Sequence, residues 1–204
     1  MQLLDSQEIT SARAIVAAVQ PPTPTLRWPL LDARLGARAW VKHENHTRVG
    51  AFKLRGGAVY LHELARREPG VRGVISATRG NHGQSIALAA ARHGLTARIV
   101  VPHGNSLEKN AAMRALGAEL IEHGDDFQAA SEHAAALAQQ RGLHRVPSFH
   151  RDLVRGRSPT LLIEADATDP MATSGAISVL KSLGIEVFAP DLPAGADAVL
   201  FHLP

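Results

Sequence analysis

The chain has 204 residues, 45% of them apolar and 20% charged, with a formal net charge of +3, the composition of a globular protein long enough to bury a core. It contains no cysteine, which excludes disulfides, thiolate metal ligands and a cysteine nucleophile. The small charge and 4% aromatic content argue against nucleic acid as a partner, and no apolar run reaches membrane-spanning length, so the expected compartment is the cytoplasm with no membrane partner.

Asp5-Ser6-Gln7-Glu8 has the form of a helix start, an acidic cap with glutamate three residues on. Ile9, Ala12, Ile15, Val16 and Val19 follow at helical spacing, so residues 6–19 are expected to be an amphipathic helix, ended by the extended Pro21-Pro22-Thr23-Pro24-Thr25. A short element closed by Gly36 precedes a strand at 39–42, a polar loop and a helix over 53–67 that carries Ala58, Leu61, Leu64 and Ala65 on one face. From Gly73 the pattern alternates: strand 73–76, helix 82–93, strand 97–101, helix 106–116, strand 119–122, helix 127–141 and a last strand over Leu143–Phe149. Gly94, Gly117 and Gly142 stand just past helix ends, where a left-handed C-terminal cap favours glycine. Alternation with loops this short implies parallel strands and right-handed crossovers, hence an α/β layered domain.

This layout places Lys53 at a helix start. The first turn presents unpaired N–H groups and the positive end of the dipole, which disfavours a cation, and burial pushes the same way. The neutral amine so favoured is a nucleophile toward carbonyl compounds. A lone lysine is ordinarily solvated surface. Residues 1–157, however, hold three lysines, Lys42, Lys53 and Lys109, against eighteen arginines, so lysine is not the generic surface charge of this chain.

Ser76-Ala77-Thr78-Arg79-Gly80-Asn81-His82-Gly83-Gln84 sits where a strand ends and a helix begins, on the side where open α/β sheets bind ligands. Backbone N–H groups at such a helix N-terminus suit a small anion, such as an amino-acid carboxylate. Equally, Asn81 caps the helix and glycine allows the turn; spacing alone does not choose between the two. Other matches carry less. Ser106-Leu107-Glu108-Lys109 fits a serine acyl-enzyme pattern, but Ser106 stands where an N-cap belongs. His43-Glu44-Asn45-His46 lacks the zinc-protease spacing and no metal site is expected. No Gly-x-Gly-x-x-Gly is present, and Asn45-His46-Thr47 is a glycosylation match without consequence in a cytoplasmic chain. Arg141, Arg145, Arg151, Arg155 and Arg157 read as a solvated surface or a subunit contact.

Ala51-Phe52-Lys53-Leu54-Arg55-Gly56-Gly57, preceded by Lys42-His43-Glu44-Asn45, resembles the pyridoxal-phosphate (PLP) lysine signature of the serine/threonine dehydratase family, of tryptophan synthase β-like fold type II. Thr78-Arg79-Gly80-Asn81-His82 is similar to that family's Ser-x-Gly-Asn-His loop, and the likeness runs over about residues 22–156, through Val100–Asn105, Gly117–Leu120 and Ser148–Gly156. The resemblance implies a three-layer α/β small domain on an open parallel sheet with an incomplete second domain. It also implies PLP as cofactor, Lys53 as the residue that carries it and then acts as base, Phe52 packed on its ring and Asn81 on its 3-hydroxyl oxygen. Thr78, Arg79, Gly80, Asn81 and His82 would hold the substrate carboxylate. The implied reaction is β-elimination of serine or threonine to a 2-oxo acid and ammonia, by an enzyme that is free to be a homo-oligomer. Thr78, Arg79 and Ala51 depart from the serine, small residue and serine commoner at those positions.

After Gly156 the likeness stops and arginine disappears: residues 1–157 hold 21 Lys and Arg against 13 Asp and Glu, residues 158–204 one lysine against six acids. The family's glycine-rich phosphate loop and the residue facing the pyridine nitrogen are not identifiable; Thr173-Ser174-Gly175-Ala176 comes nearest to the loop. The expected organisation is residues 1–47 as helix, linker and strand of an incomplete large domain, 48–150 as the α/β small domain, and 151–204 as a diverged, non-homologous tail. Two alternatives stand beside the dehydratase reading: a truncated or frameshifted, catalytically incompetent fragment, and an amino-acid racemase on the same scaffold.

Overall fold

The computed structural model describes residues 6–35, 38–156, 161–164 and 198–201; Asp5, Gly36, Arg157 and the Thr173–Ala176 stretch lie outside the described residues. The elements are α1 (Ser6–Ala17), β1 (Thr25–Arg27), α2 (Pro29–Leu35), β2 (Arg38–Lys42), a 3-10 turn (Glu44–His46), α3 (Lys53–Arg67), β3 (Gly73–Ala77), α4 (Asn81–Arg92), β4 (Thr96–Val101), α5 (Leu107–Ala115), β5 (Glu119–Glu122), α6 (Phe127–Arg141), β6 (His144–Arg145), α7 (Arg151–Arg155), β7 (Leu161–Glu164) and β8 (Ala198–Phe201). Two compact units are present, one of residues 1–22 and 47–157, the other of 23–46 and 158–204.

The first unit is built on a parallel sheet in the order β5-β4-β3-β6. Side chains alternate across a strand, and here both faces are covered. Val74 and Ile99 pack with Leu61 and Leu64 of α3, Ile86 of α4 and Met113 of α5. Ile75 and Val100 pack on the other side with Ala130, Ala134 and Leu137 of α6. Three layers result, and burial on both faces is why β3 and β4 read as continuous apolar runs. Gly94, Gly117 and Gly142 have φ of 66°, 88° and 60°, the left-handed values that turn each helix end back toward the next strand. The expected strand over Leu143–Phe149 is cut to His144–Arg145, with Val146 still donating its N–H to Ile75 O at 2.8 Å.

α1 belongs to this unit, with Ala12 and Val16 packed on Val59 of α3. So does α7, through the arginines expected at a surface or subunit contact. Arg151 grips the Glu8 carboxylate through Nη2 at 2.6 Å and Nε at 3.1 Å, and Arg155 reaches Ser11 Oγ at 2.9 Å. Asp152, 4% exposed, accepts from Arg67 at 2.8 Å and from Arg155 at 3.0 Å. Arg151 and Arg155 are thus engaged within the chain, while Arg141 and Arg145 are exposed and Arg157 lies outside the described residues. The second unit holds an antiparallel sheet, β1-β2-β7-β8. There the Thr23 hydroxyl donates to Glu44 Oε1 at 2.6 Å in a buried bond.

Burial pushes the Asp152 carboxyl up, but the hydrogen bonds from Arg67 and Arg155 outweigh it and hold the group below its ordinary value. Asp152→Ala leaves two guanidinium groups facing a gap and is expected to cost about 3 kcal/mol in urea denaturation, the lower end of such losses because Arg67 is 43% exposed. A depressed carboxyl stabilises the fold above its unfolded value, near pH 3.9, and that contribution is lost as pH falls through the lower folded value. The gap between wild type and variant should therefore close below about pH 4.

Candidate active site

Lys53 is the first residue of α3. The preceding Phe52 is the N-cap position, with helical φ and ψ of −59° and −21° and no side-chain cap hydrogen bond. Phe52 is 9% exposed, and the Lys53 Nζ lies 5.0 Å from its ring centroid. The loop before them is braced from three sides. Thr47 Oγ1 accepts from Ala51 N and donates to Ala51 O, both at 2.9 Å. Gln20 Oε1 accepts from Arg48 N at 3.1 Å. Val49, Ala51 and Leu54 bury together beneath it.

The Gly56-Gly57 pair explains itself by what a side chain would meet. A Cβ on Gly56 would stand 2.5 Å from Leu153 O of α7, and one on Gly57 would run into Ser85 Oγ of α4. Gly156 faces the same crossing, where a Cβ would strike Arg55 O. Backbones of three helices meet here at a distance only glycine allows. Across the α3–α4 contact, Ser85 Oγ donates to Lys53 O at 2.6 Å. Ser85 stands one turn after Asn81 on α4, so this bond sets the two motifs beside each other.

Asn81 is the first residue of α4, and Gly80 occupies the N-cap without a side-chain hydrogen bond. The reading of Asn81 as a simple cap is therefore overturned. Thr78 is 5% exposed; its N–H donates to Val100 O and its hydroxyl accepts from Gly80 N, each at 3.0 Å. Arg79 is exposed. His82 is 8% exposed, with Nε2 3.1 Å from Ser76 Oγ. The Ser76 proton goes to Val146 O at 2.9 Å, so Nε2 carries the hydrogen it gives to Ser76. His82 thus ties the loop down to β3 from beneath. The Lys109 stem lies across Gly80, where a Cβ would stand 2.5 Å from its Cδ.

The two helices that carry the motifs differ from others in the same unit. Ser106 caps α5 by accepting from Lys109 N at 3.3 Å, Asp126 caps α6 by accepting from Ala129 N at 2.8 Å, and His150 caps α7 by accepting from Asp152 N at 3.1 Å. α3 and α4 have no such cap. Their first-turn N–H groups keep the electrostatic bias toward an anion. Among the described residues no three His, Cys, Asp or Glu side chains converge as metal ligands, and no helix is long and apolar enough to cross a membrane. Ser76, Ser85 and Gln20 were missed by sequence reasoning; only the spacing of Ser85 from Asn81 carried a hint.

Lys53 thus stands at a helix start in an α/β domain, and Asn81 at the uncapped strand-to-helix turn of its parallel sheet. The model of the pyridoxal-phosphate dependent enzyme family matches residues 16–178, past Gly156, and the chain belongs to that family. Threonine dehydratase of Nicotiana attenuata is 38% identical over 151 residues, 74% of this chain and 25% of the relative. L-threo-3-hydroxyaspartate ammonia-lyase of Saccharomyces cerevisiae is 33% identical over 189 residues, 86% of this chain and 58% of the relative. The crystal structure of a pyridoxal 5'-phosphate-dependent aspartate racemase matches with a TM-score of 0.72 and 26% identity, over 93% of this chain and 54% of that one. The chain therefore spans about a quarter of the Nicotiana dehydratase.

Gly83 tests the packing that seats α4. A methyl group there would meet Met113 Sδ, Thr78 Cγ2 at 2.6 Å and Ile99 Cγ2 at 3.0 Å. Gly83→Ala is expected to destabilise the chain by about 1–3 kcal/mol, read as a lowered melting temperature.

Proposed function

We propose that the chain is the lysine-bearing domain of a PLP-dependent ammonia-lyase of the threonine/serine dehydratase type, with a hydroxy amino acid as substrate. The observation that carries this reading is the pairing of Lys53 and Asn81 at two uncapped helix starts, joined by the Ser85 bond to Lys53 O. The groups present suit the aldehyde end and the ring of PLP: an amine, a buried aromatic and an amide within one turn of each other's helices. Lys53 would hold the aldehyde, Phe52 would line the ring and Asn81 would meet the ring hydroxyl oxygen. The bound cofactor supplies an electron sink that acidifies the substrate's α C–H bond.

The rest is done by the chain's own side chains and backbone. The loop Thr78, Arg79, Gly80, Asn81 and His82 receives the substrate carboxylate, with the α4 N-terminus as its positive end. Thr78 and the His82–Ser76 bond keep that loop from moving as charge shifts. Lys53 Nζ, once released to the substrate side, takes the α-proton as general base. Loss of the β-hydroxyl and hydrolysis then give a 2-oxo acid and ammonia. In this reading residues 48–150 are the core of the catalytic small domain, with α1 and α7 packed on it, and residues 23–46 contribute part of a larger one. A second reading, a piece that is catalytically incompetent by itself, is favoured by the 25% share of the dehydratase relative that the chain spans.

Incubation with PLP followed by borohydride reduction should leave the cofactor's mass on the peptide that contains Lys53. Lys53→Ala should retain none. Turnover of threonine or serine to a 2-oxo acid should fall about 100- to 10,000-fold in that variant. Wild type that retains no cofactor would sink the enzyme reading and leave the second.

A further inference from the structure

Between α1, α3 and α4 lies a cavity of about 360 Å³. Ala14 and Ala18 line it from α1 and its last turn, Ala58 from α3 and Ala89 from α4. It opens to solvent along Ala14, Ala18, His62, Arg92 and His93, which are exposed, with the buried Ala58 and Ala89 at its floor. The fixed charge of the lining is that of Arg92. His62, Arg92 and His93 line the cavity and no carboxylate does.

Arg92 is held in place: its Nη2 donates to Ala18 O at 3.1 Å, using one of the five N–H donors a guanidinium has. The His62 and His93 rings meet edge to face with centroids 5.9 Å apart. Partial burial pushes the His93 imidazole down, and the neighbouring His62 and Arg92 push it the same way. The helix-end carbonyls do little to offset this crowding. Val16 O already accepts from Val19 and Gln20 N, and Ala90 O from His93 and Leu95 N.

We propose that this cavity binds a small amphiphilic anion, a short-chain aliphatic carboxylate, with its head group on Arg92 and its chain among the alanines. Charge complementarity selects the head group. A guanidinium already fixed by a backbone carbonyl presents its remaining donors at little entropic cost, and charge-assisted bonds to a carboxylate are the strong ones. The four alanine methyls, with Ile15 and Val19, select the apolar chain. Val19 also packs against Val49, Ala51 and Leu54 under the Lys53 loop, so occupancy is felt next to the proposed catalytic lysine without using it.

Titration of hexanoate into the isotope-labelled chain should shift the amide signals of His62, Ala89, Arg92 and His93 to saturation. Hexan-1-ol and hexylamine should each bind about ten-fold more weakly. Arg92→Gln should weaken hexanoate about ten-fold, and Ala18→Phe, at an exposed wall position, should remove binding while the melting temperature is kept. The proposal is overturned by unsaturable shifts with hexanoate, by hexylamine binding as well as hexanoate, or by unchanged binding in folded Ala18→Phe. Should Ala18→Phe not fold, the Arg92→Gln affinity decides.

Discussion

The close approach of α3 to α4 and α7 through Gly56 and Gly57 is the contact on which the rest of the first unit depends. With no Cβ at either position, the Ser85 side chain and the Leu153 carbonyl lie where side chains would otherwise stand. α3 therefore cannot rotate about its axis without driving backbone into backbone. That constraint sets the direction of its first turn and hence of Lys53. The Ser85 hydroxyl bond to Lys53 O then pins the same turn to α4. A reactive side chain must be held by groups whose own positions are locked, and here the lock is helix packing beneath the loop.

The two ends of α3 divide the work. At its start the N–H groups are left without a side-chain cap, which lowers stability there and leaves a charge bias available to a ligand. At its far end Tyr60, Arg67 and Glu68 each engage a polar partner. Burial, the largest influence, pushes the Tyr60 phenol up to about 12, Arg67 opposes it and Asp152 and Glu68 add to it. Tyr60 thus remains a donor to His144 Nε2 at 2.9 Å, while His144 Nδ1 gives its hydrogen to Glu68 at 3.2 Å. Arg67, Asp152 and Arg155 form a second set of bonds beside it. Buried polar groups stabilise a fold only when satisfied, and satisfied ones stand at both ends of α3, Thr47 and Ser85 at its start and Asp152 at its far end.

The same principle separates the arginines. Those of α7 are spent on Glu8, Ser11 and Asp152, whereas Arg72, Arg114, Arg141 and Arg145 are exposed. Arg92 is the instructive contrast, anchored to a carbonyl yet lining a cavity that no carboxylate reaches. Arg79 is another, exposed on the Thr78–His82 loop.

Periodicity in the chain determined the order of the parallel unit's strands and helices, and glycine at 94, 117 and 142 marked its turns, because hydrophobic spacing and positive φ are local demands. Residue type and order also singled out Lys53 and the Thr78–His82 loop. Only the tertiary structure decided that α1 and α7 pack on α3 and that the last strand stops at Arg145. It alone showed that Ser85 joins the two motifs and that His82 faces Ser76. β1 escaped notice because three residues carry no alternation to detect. Contacts between residues distant in sequence leave no periodic trace, since each depends on the shape that the other elements have already taken.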